Sequence, residues 1–145
     1  MSSELKYAAW LAIGCLLTAG CDDKSPSSPS PTPPTVAPPS VTEAWENTLA
    51  VGGLRFYSFS VGQNGTVNVT LESLIENNAD SSAQLGLGIG FPVATGCSAN
   101  AASTYSAGPD PQISTVYAPG IYCVKIQDPG NLGGPARFRV VIAHP

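Results

Sequence analysis

The run Tyr57-Ser58-Phe59-Ser60-Val61-Gly62-Gln63-Asn64-Gly65-Thr66-Val67-Asn68-Val69-Thr70-Leu71 alternates large apolar and polar residues on both sides of a glycine-bounded break. Successive side chains of a strand point to opposite faces, so each half reads as a β-strand with one buried face. Asn-Gly provides the positive φ that tight turns require, and Gly62-Gln63-Asn64-Gly65 is expected to join the halves as a hairpin.

The period of two recurs along the chain. Phe138, Val140 and Ile142 alternate with Arg137, Arg139 and Val141. In Leu85-Gly86-Leu87-Gly88-Ile89-Gly90-Phe91 every second residue is large and apolar, and each residue between is Gly. One face of that strand is core and the other is bare backbone, where another backbone or a ligand can approach closely. Gly86, Gly88 and Gly90 therefore floor either a shallow groove or a face covered by a neighbouring loop or ring; cover is the expectation. Pro119-Gly120 leads from Ile113–Tyr117 into Ile121–Ile126, and Asp128-Pro129-Gly130-Asn131 leads out again. No long window keeps helical apolar spacing. About seven to nine short strands, separated by Gly, Pro and Asn turns, predict an all-β fold, a single antiparallel, jelly-roll-like β-sandwich.

The strand-rich segment, residues 43–145, has the size of one domain with one core. Ahead of it, Ser25–Ser40 contains only Ser, Pro, Thr, Val and Ala, and seven of its sixteen residues are Pro. Pro lacks an N–H and fixes φ, so the tract favours extended polyproline II. At ~3.1 Å per residue it reaches on the order of 50 Å. Residues 21–42 are thus expected to form a disordered linker that holds the sandwich clear of whatever anchors Cys21.

Residues 1–20 carry the parts of an export signal: Lys6 near the amino terminus, an apolar stretch from Tyr7 to Leu17, and the small pair Ala19-Gly20. A membrane-spanning helix needs roughly 20 apolar residues, so this stretch is too short to span comfortably. Leu17-Thr18-Ala19-Gly20-Cys21 resembles the cleavage and lipidation signal of bacterial lipoproteins, with Thr18 standing where that pattern has Leu. The resemblance implies that Cys21 becomes the acylated N-terminus, held in membrane lipid and facing the periplasm or the cell surface. The alternative is cleavage near Ala19 with a free thiol left behind. Asp22 resembles the signal that retains some lipoproteins at the inner membrane.

With Cys15 in the signal and Cys21 acylated, Cys97 and Cys123 remain. An even pair in an exported domain reads as a disulfide, contributing roughly 3 kcal/mol for a loop of this length.

Three segments carry a further resemblance. Arg55-Phe56-Tyr57-Ser58-Phe59-Ser60-Val61, Gly65-Thr66-Val67-Asn68-Val69-Thr70-Leu71 and Ala118-Pro119-Gly120-Ile121-Tyr122-Cys123-Val124-Lys125-Ile126 resemble strands of the bacterial pre-peptidase C-terminal domain family, over about Thr48 to Ala143. The resemblance implies a jelly-roll-like sandwich that accompanies secreted enzymes as a non-catalytic appendage. Here no enzyme segment adjoins it, and a module alone on a lipid tether is expected.

Catalysis finds little material. The sole histidine, His144, is next to the last residue, where chains fray, and no Ser-His-Asp or Cys-His pattern surrounds it. No carboxylate spacing specifies a site, and no enzyme activity or cofactor is expected. Asp110 and Asp128, the latter near Asn131, are weak Ca²⁺ candidates, since that ion takes six to eight oxygen ligands; turn stabilisation is the expected role. With 11% charged residues and a net charge of −4, no basic patch meets nucleic acid. The expected function is a non-catalytic module for protein interaction or envelope structure, with an unidentified envelope protein as partner. The alternative is a carbohydrate-binding module that stacks glycan sugars on exposed rings among Trp45, Phe56, Tyr105 and Tyr117.

Overall fold

A computed structural model describes Thr32, Pro33 and residues 35–145; the signal 1–20, Cys21 and most of the Pro/Ser-rich tract lie outside the described residues. Ten strands follow one another: β1 (Val41–Leu49), β2 (Leu54–Val61), β3 (Gly65–Glu76), β4 (Ala79–Asp80), β5 (Leu85–Val93), β6 (Gly96–Ser98), β7 (Thr104–Tyr105), β8 (Ile113–Tyr117), β9 (Gly120–Gln127) and β10 (Ala136–His144). The count exceeds the seven to nine read from the sequence because β4, β6 and β7 are only two or three residues long. Strands that short leave no period to detect. No helix among the described residues is long and apolar enough to cross a membrane.

The strands form two antiparallel sheets. One runs β1-β10-β3, with β8 and β4 paired to successive parts of the other edge of β3; the second runs β2-β9-β5, with β7 on the far side of β5 and β6 folded back on its end. Successive long strands alternate between the sheets. The orders β1-β10-β3-β8 and β2-β9-β5-β7 are those of an eight-stranded jelly roll, two Greek keys wrapped into one sandwich. The inward faces carry the apolar half of each alternation: Phe59 and Val61 on β2, Val67 and Val69 on β3, Val124 and Ile126 on β9, Phe138 and Val140 on β10, all buried. Burial of each such side chain contributes about 1.5–3 kcal/mol.

The hairpin expected at Gly62–Gly65 does not form. β2 pairs with β9, whereas β3 pairs with β10 and β8, so the connection crosses from one sheet to the other. Among the described residues only Asn77, Asn78, Gly52 and Gly130 have positive φ, and the tight turn is Asn77-Asn78 between β3 and β4. Gly65 instead makes room: a Cβ there would collide with the Ala37 carbonyl.

That contact also moves the start of the domain. Ala37 N–H donates to Asn64 O, Thr66 N–H donates to Ala37 O, and Ser40 N–H donates to His144 O, each at 3.0 Å. The last residues of the Pro/Ser-rich tract are therefore part of the fold, ahead of the boundary expected at residue 43.

A second departure lies within β3. Val140 pairs with Leu71 and Arg139 with Ser73, so Glu72 has no opposite residue and forms a β-bulge. The extra residue shifts the phase, and Leu71 and Leu74 both face the core although they are three apart.

Candidate functional site

The glycine face of β5 is filled. A Cβ on Gly86, Gly88 or Gly90 would overlap the backbone carbonyl of Ala101, Asn100 or Ser98 respectively. The segment after β6 thus lies flat on the outer face of the second sheet before returning as β7. Leu87 N–H donates to Ser103 O at 3.2 Å, and Gln127 Nε2 donates to Ala101 O at 3.3 Å. Cys97 and Cys123 form a disulfide with Cα atoms 5.9 Å apart, and it ties the start of this segment to β9. No ligand groove is left on these three glycines.

The four rings do not share a face. Trp45 is in the core, stacked on Tyr57 at 5.8 Å and edge-on to Phe138 at 4.8 Å. Tyr117 is half-buried with its ring 4.7 Å from that of Tyr122, and burial, then the charge on Tyr122, pushes its phenol above the ordinary range. Tyr105 on β7 is half-buried against the core. Phe56 alone is exposed; its strand neighbour Tyr57 points inward, and Lys125 is its partner across the strand pair.

His144 departs furthest from expectation. It ends β10 instead of fraying, and its ring is buried. Nε2 lies 2.9 Å from Glu43 Oε1 and Nδ1 lies 3.3 Å from Pro145 O. The Tyr57 hydroxyl donates to Glu43 Oε2 at 2.6 Å, and this bond raises the Tyr57 pKa. Burial alone raises the Glu43 carboxyl, but the Tyr57 and His144 hydrogen bonds and the His144 charge outweigh it and hold the group below the ordinary range. The cluster joins β1, β2 and β10, and both imidazole nitrogens face acceptors of the protein itself. It acts as a polar clamp between the sheets. Sequence distance hid it, because Glu43 and His144 are 101 residues apart.

Asp128 serves its turn. Oδ1 accepts N–H bonds from Gly130, Asn131 and Leu132, and Oδ2 accepts one from Gly52 at 2.8 Å. Burial raises its carboxyl, yet these four backbone N–H groups hold it below the ordinary range. Both oxygens are thereby committed to amides, and the turn after β9 is fixed to the turn before β2. Asp110 is exposed on a separate loop. Among the described residues no group of three or more His, Cys, Asp or Glu side chains is placed to hold a metal ion.

A concavity among the described residues was missed by sequence reasoning. It is open, about 370 Å³, and lies on the outer face of the first sheet where Thr48, Arg137 and Ile75 pair across β1, β10 and β3. Glu46, Arg139 and Ser73 form its next row. Arg139 bridges Glu46 and Glu72 by ion pairs, and these bonds raise its pKa. Exposed ion pairs contribute little stability, about 0–1 kcal/mol each. Their effect here is to fix the guanidinium, leaving Arg137, the Thr48 and Ser73 hydroxyls and Ile75 to line a recess of mixed polar and apolar character. Its signal in sequence was the polar half of β10, Arg137 and Arg139, read only as the solvated face.

No protein-family model matches this chain, and no curated protein matches it.

Proposed function

We propose that the chain is a bacterial envelope lipoprotein, anchored in membrane lipid through acylated Cys21, whose sandwich is a non-catalytic module for protein interaction. The observation that carries this reading is the fixed exit of the tether. The tract behind Cys21 ends in backbone hydrogen bonds at Ala37 and Ser40, at one end of the sandwich, while the recess around Arg137 and Ile75 lies toward the other end of β10. A tethered domain of this build presents the recess away from its point of attachment. Leu17-Thr18-Ala19-Gly20-Cys21 supports the anchor. The jelly-roll order supports kinship with the pre-peptidase C-terminal domain family, as an appendage-like, non-catalytic module. The placement of the four aromatic rings lends no support to sugar stacking.

In-cell crosslinking tests the interaction. A photoreactive side chain in place of Ile75 is expected to trap one envelope protein as a discrete heavier band, and the same side chain in place of Phe56 is not. Identical patterns from the two positions would overturn the assignment of the recess.

A further inference from the structure

The two ends of the sandwich differ in character. At the tether end lie the start of β1, the connection from β2 to β3, the end of β5, and the connection from β8 to β9. Gly62 N–H donates to Pro145 O at 3.1 Å and the Phe59 ring lies 5.4 Å from that of His144, so both sheets meet there. Residues 35–42, 60–68, 89–103, 113–124 and 140–145 contain no Asp, Glu, Lys or Arg. The exception at this end is Glu43, whose carboxylate is taken up by His144 and Tyr57; Arg55, Glu76, Asp80, Asp128 and Arg137 lie toward the opposite end.

The tether end carries six of the nine exposed large apolar side chains among the described residues; Val51, Leu54 and Phe56 lie away from it. Ile121 is 64% exposed, Phe91 62%, Val93 53% and Val116 49%, with Val36 and Val41 beside them on the incoming chain. A cluster of this kind marks an interaction surface. Most of its residues stand at strand ends of both sheets rather than around a recess, and a lipid surface conforms to such an irregular rim. Charged side chains are costly in the apolar part of a bilayer, and they are absent from the segments that carry these residues.

We infer that this end of the sandwich docks on the lipid surface, with Phe91, Val93, Val116 and Ile121 seated at the headgroup boundary. The inference rests on the proposed anchor at Cys21. With Ala37 fixed to the domain, residues 22–36 reach at most roughly 54 Å at ~3.6 Å per residue, even fully extended. The tract thus sets an upper limit on how far the domain moves from the bilayer and leaves it free to reach the surface. The recess around Arg137 and Ile75 then faces away from the lipid.

The test uses the full lipidated chain reconstituted into phosphatidylcholine vesicles with and without brominated acyl chains, which quench tryptophan on contact. Val93→Trp and Ile121→Trp, both at exposed positions, are read beside Ala79→Trp at the other end. Seating to a depth of about 5–10 Å gives roughly twofold loss of the added emission for the first two variants and none for the third. A chain that floats with the vesicles but shows equal quenching at all three positions overturns the docking and leaves the anchor standing. A chain that fails to float refutes the anchor, and the docking with it.

Discussion

Glu43 Oε1 lies 2.9 Å from Nε2 of His144, a residue 101 positions further along the chain, and the other oxygen of the same carboxylate takes the Tyr57 hydroxyl from the opposite sheet. One side chain of β1 thereby holds the end of β10 and the middle of β2. Removing it strands a buried imidazole and a phenol without their partner, and groups left in that state cost about 1–3 kcal/mol. Glu43→Ala is therefore expected to lower the thermal midpoint by roughly 5–15 °C, since about 1 kcal/mol corresponds to 4–8 °C in a domain of this size. Glu43→Gln, which keeps an acceptor for Tyr57, should lose less. A scanning calorimetry trace unchanged by Glu43→Ala would remove the clamp from the account.

The pH dependence follows from two carboxylates. Glu43 and Asp128 are both held below their ordinary values of 4.5 and 3.8 in the folded chain. A lowered folded pKa means the unfolded chain binds protons first, so the stabilisation is complete above the ordinary value and disappears as pH falls through the lowered one. Thermal midpoints are expected to drop as the solution is taken below about pH 4.5. In the Glu43→Gln, Asp128→Asn double variant that acid limb should be visibly flatter, and an unaltered slope would show that other groups carry it.

Gly88 and Gly96 make a matched pair of substitutions. A methyl on Gly88 meets the Asn100 carbonyl and the backbone behind it, whereas one on Gly96 meets nothing within 4 Å. Overpacking against backbone costs about 1–3 kcal/mol or more, while a change in open space stays within about 0.5 kcal/mol. Urea titration should separate Gly88→Ala from the parent chain and leave Gly96→Ala beside it; coincident curves for the two variants would contradict the close cover over β5.

The disulfide keeps that cover in place. Reduction of Cys97–Cys123 frees the start of the segment from β9, leaving the hydrogen bonds of Ser103 and Ala101 to hold it. The loss in global stability is expected to be roughly 3 kcal/mol. Limited proteolysis should then cut first between Ser98 and Ser103, and a reduced chain cleaved no faster there than the oxidised one would argue against this role.

The strands most visible in the sequence were those buried on one face only. Tyr57, Phe59 and Val61 announced β2, and Phe138, Val140 and Ile142 announced β10, because period-two alternation records which face is wet. The same alternation is silent about which sheet a strand joins. Asn64-Gly65 thus looked like a hairpin turn although β2 and β3 belong to different sheets, and the positive-φ turn lay twelve residues past Gly65 at Asn77-Asn78. The bulge at Glu72 leaves no local mark, since its cause is the register of β10. Of the candidate site residues, Cys97 and Cys123 were legible as a pair because two thiols in one domain have one simple partner each. Trp45 and His144 were not, since Trp45 packs on Phe138 of β10 and His144 bonds to Glu43 of β1, each far off in the chain.

The lipid at Cys21 is the claim on which the function depends, and the mass of the N-terminal peptide from protein extracted from its native membrane tests it most directly. The account predicts a chain beginning at Cys21 with a diacylated thioether on its sulfur, with or without a further acyl group on the amine. An unmodified Cys21, or a mature chain that starts at another residue, would contradict it.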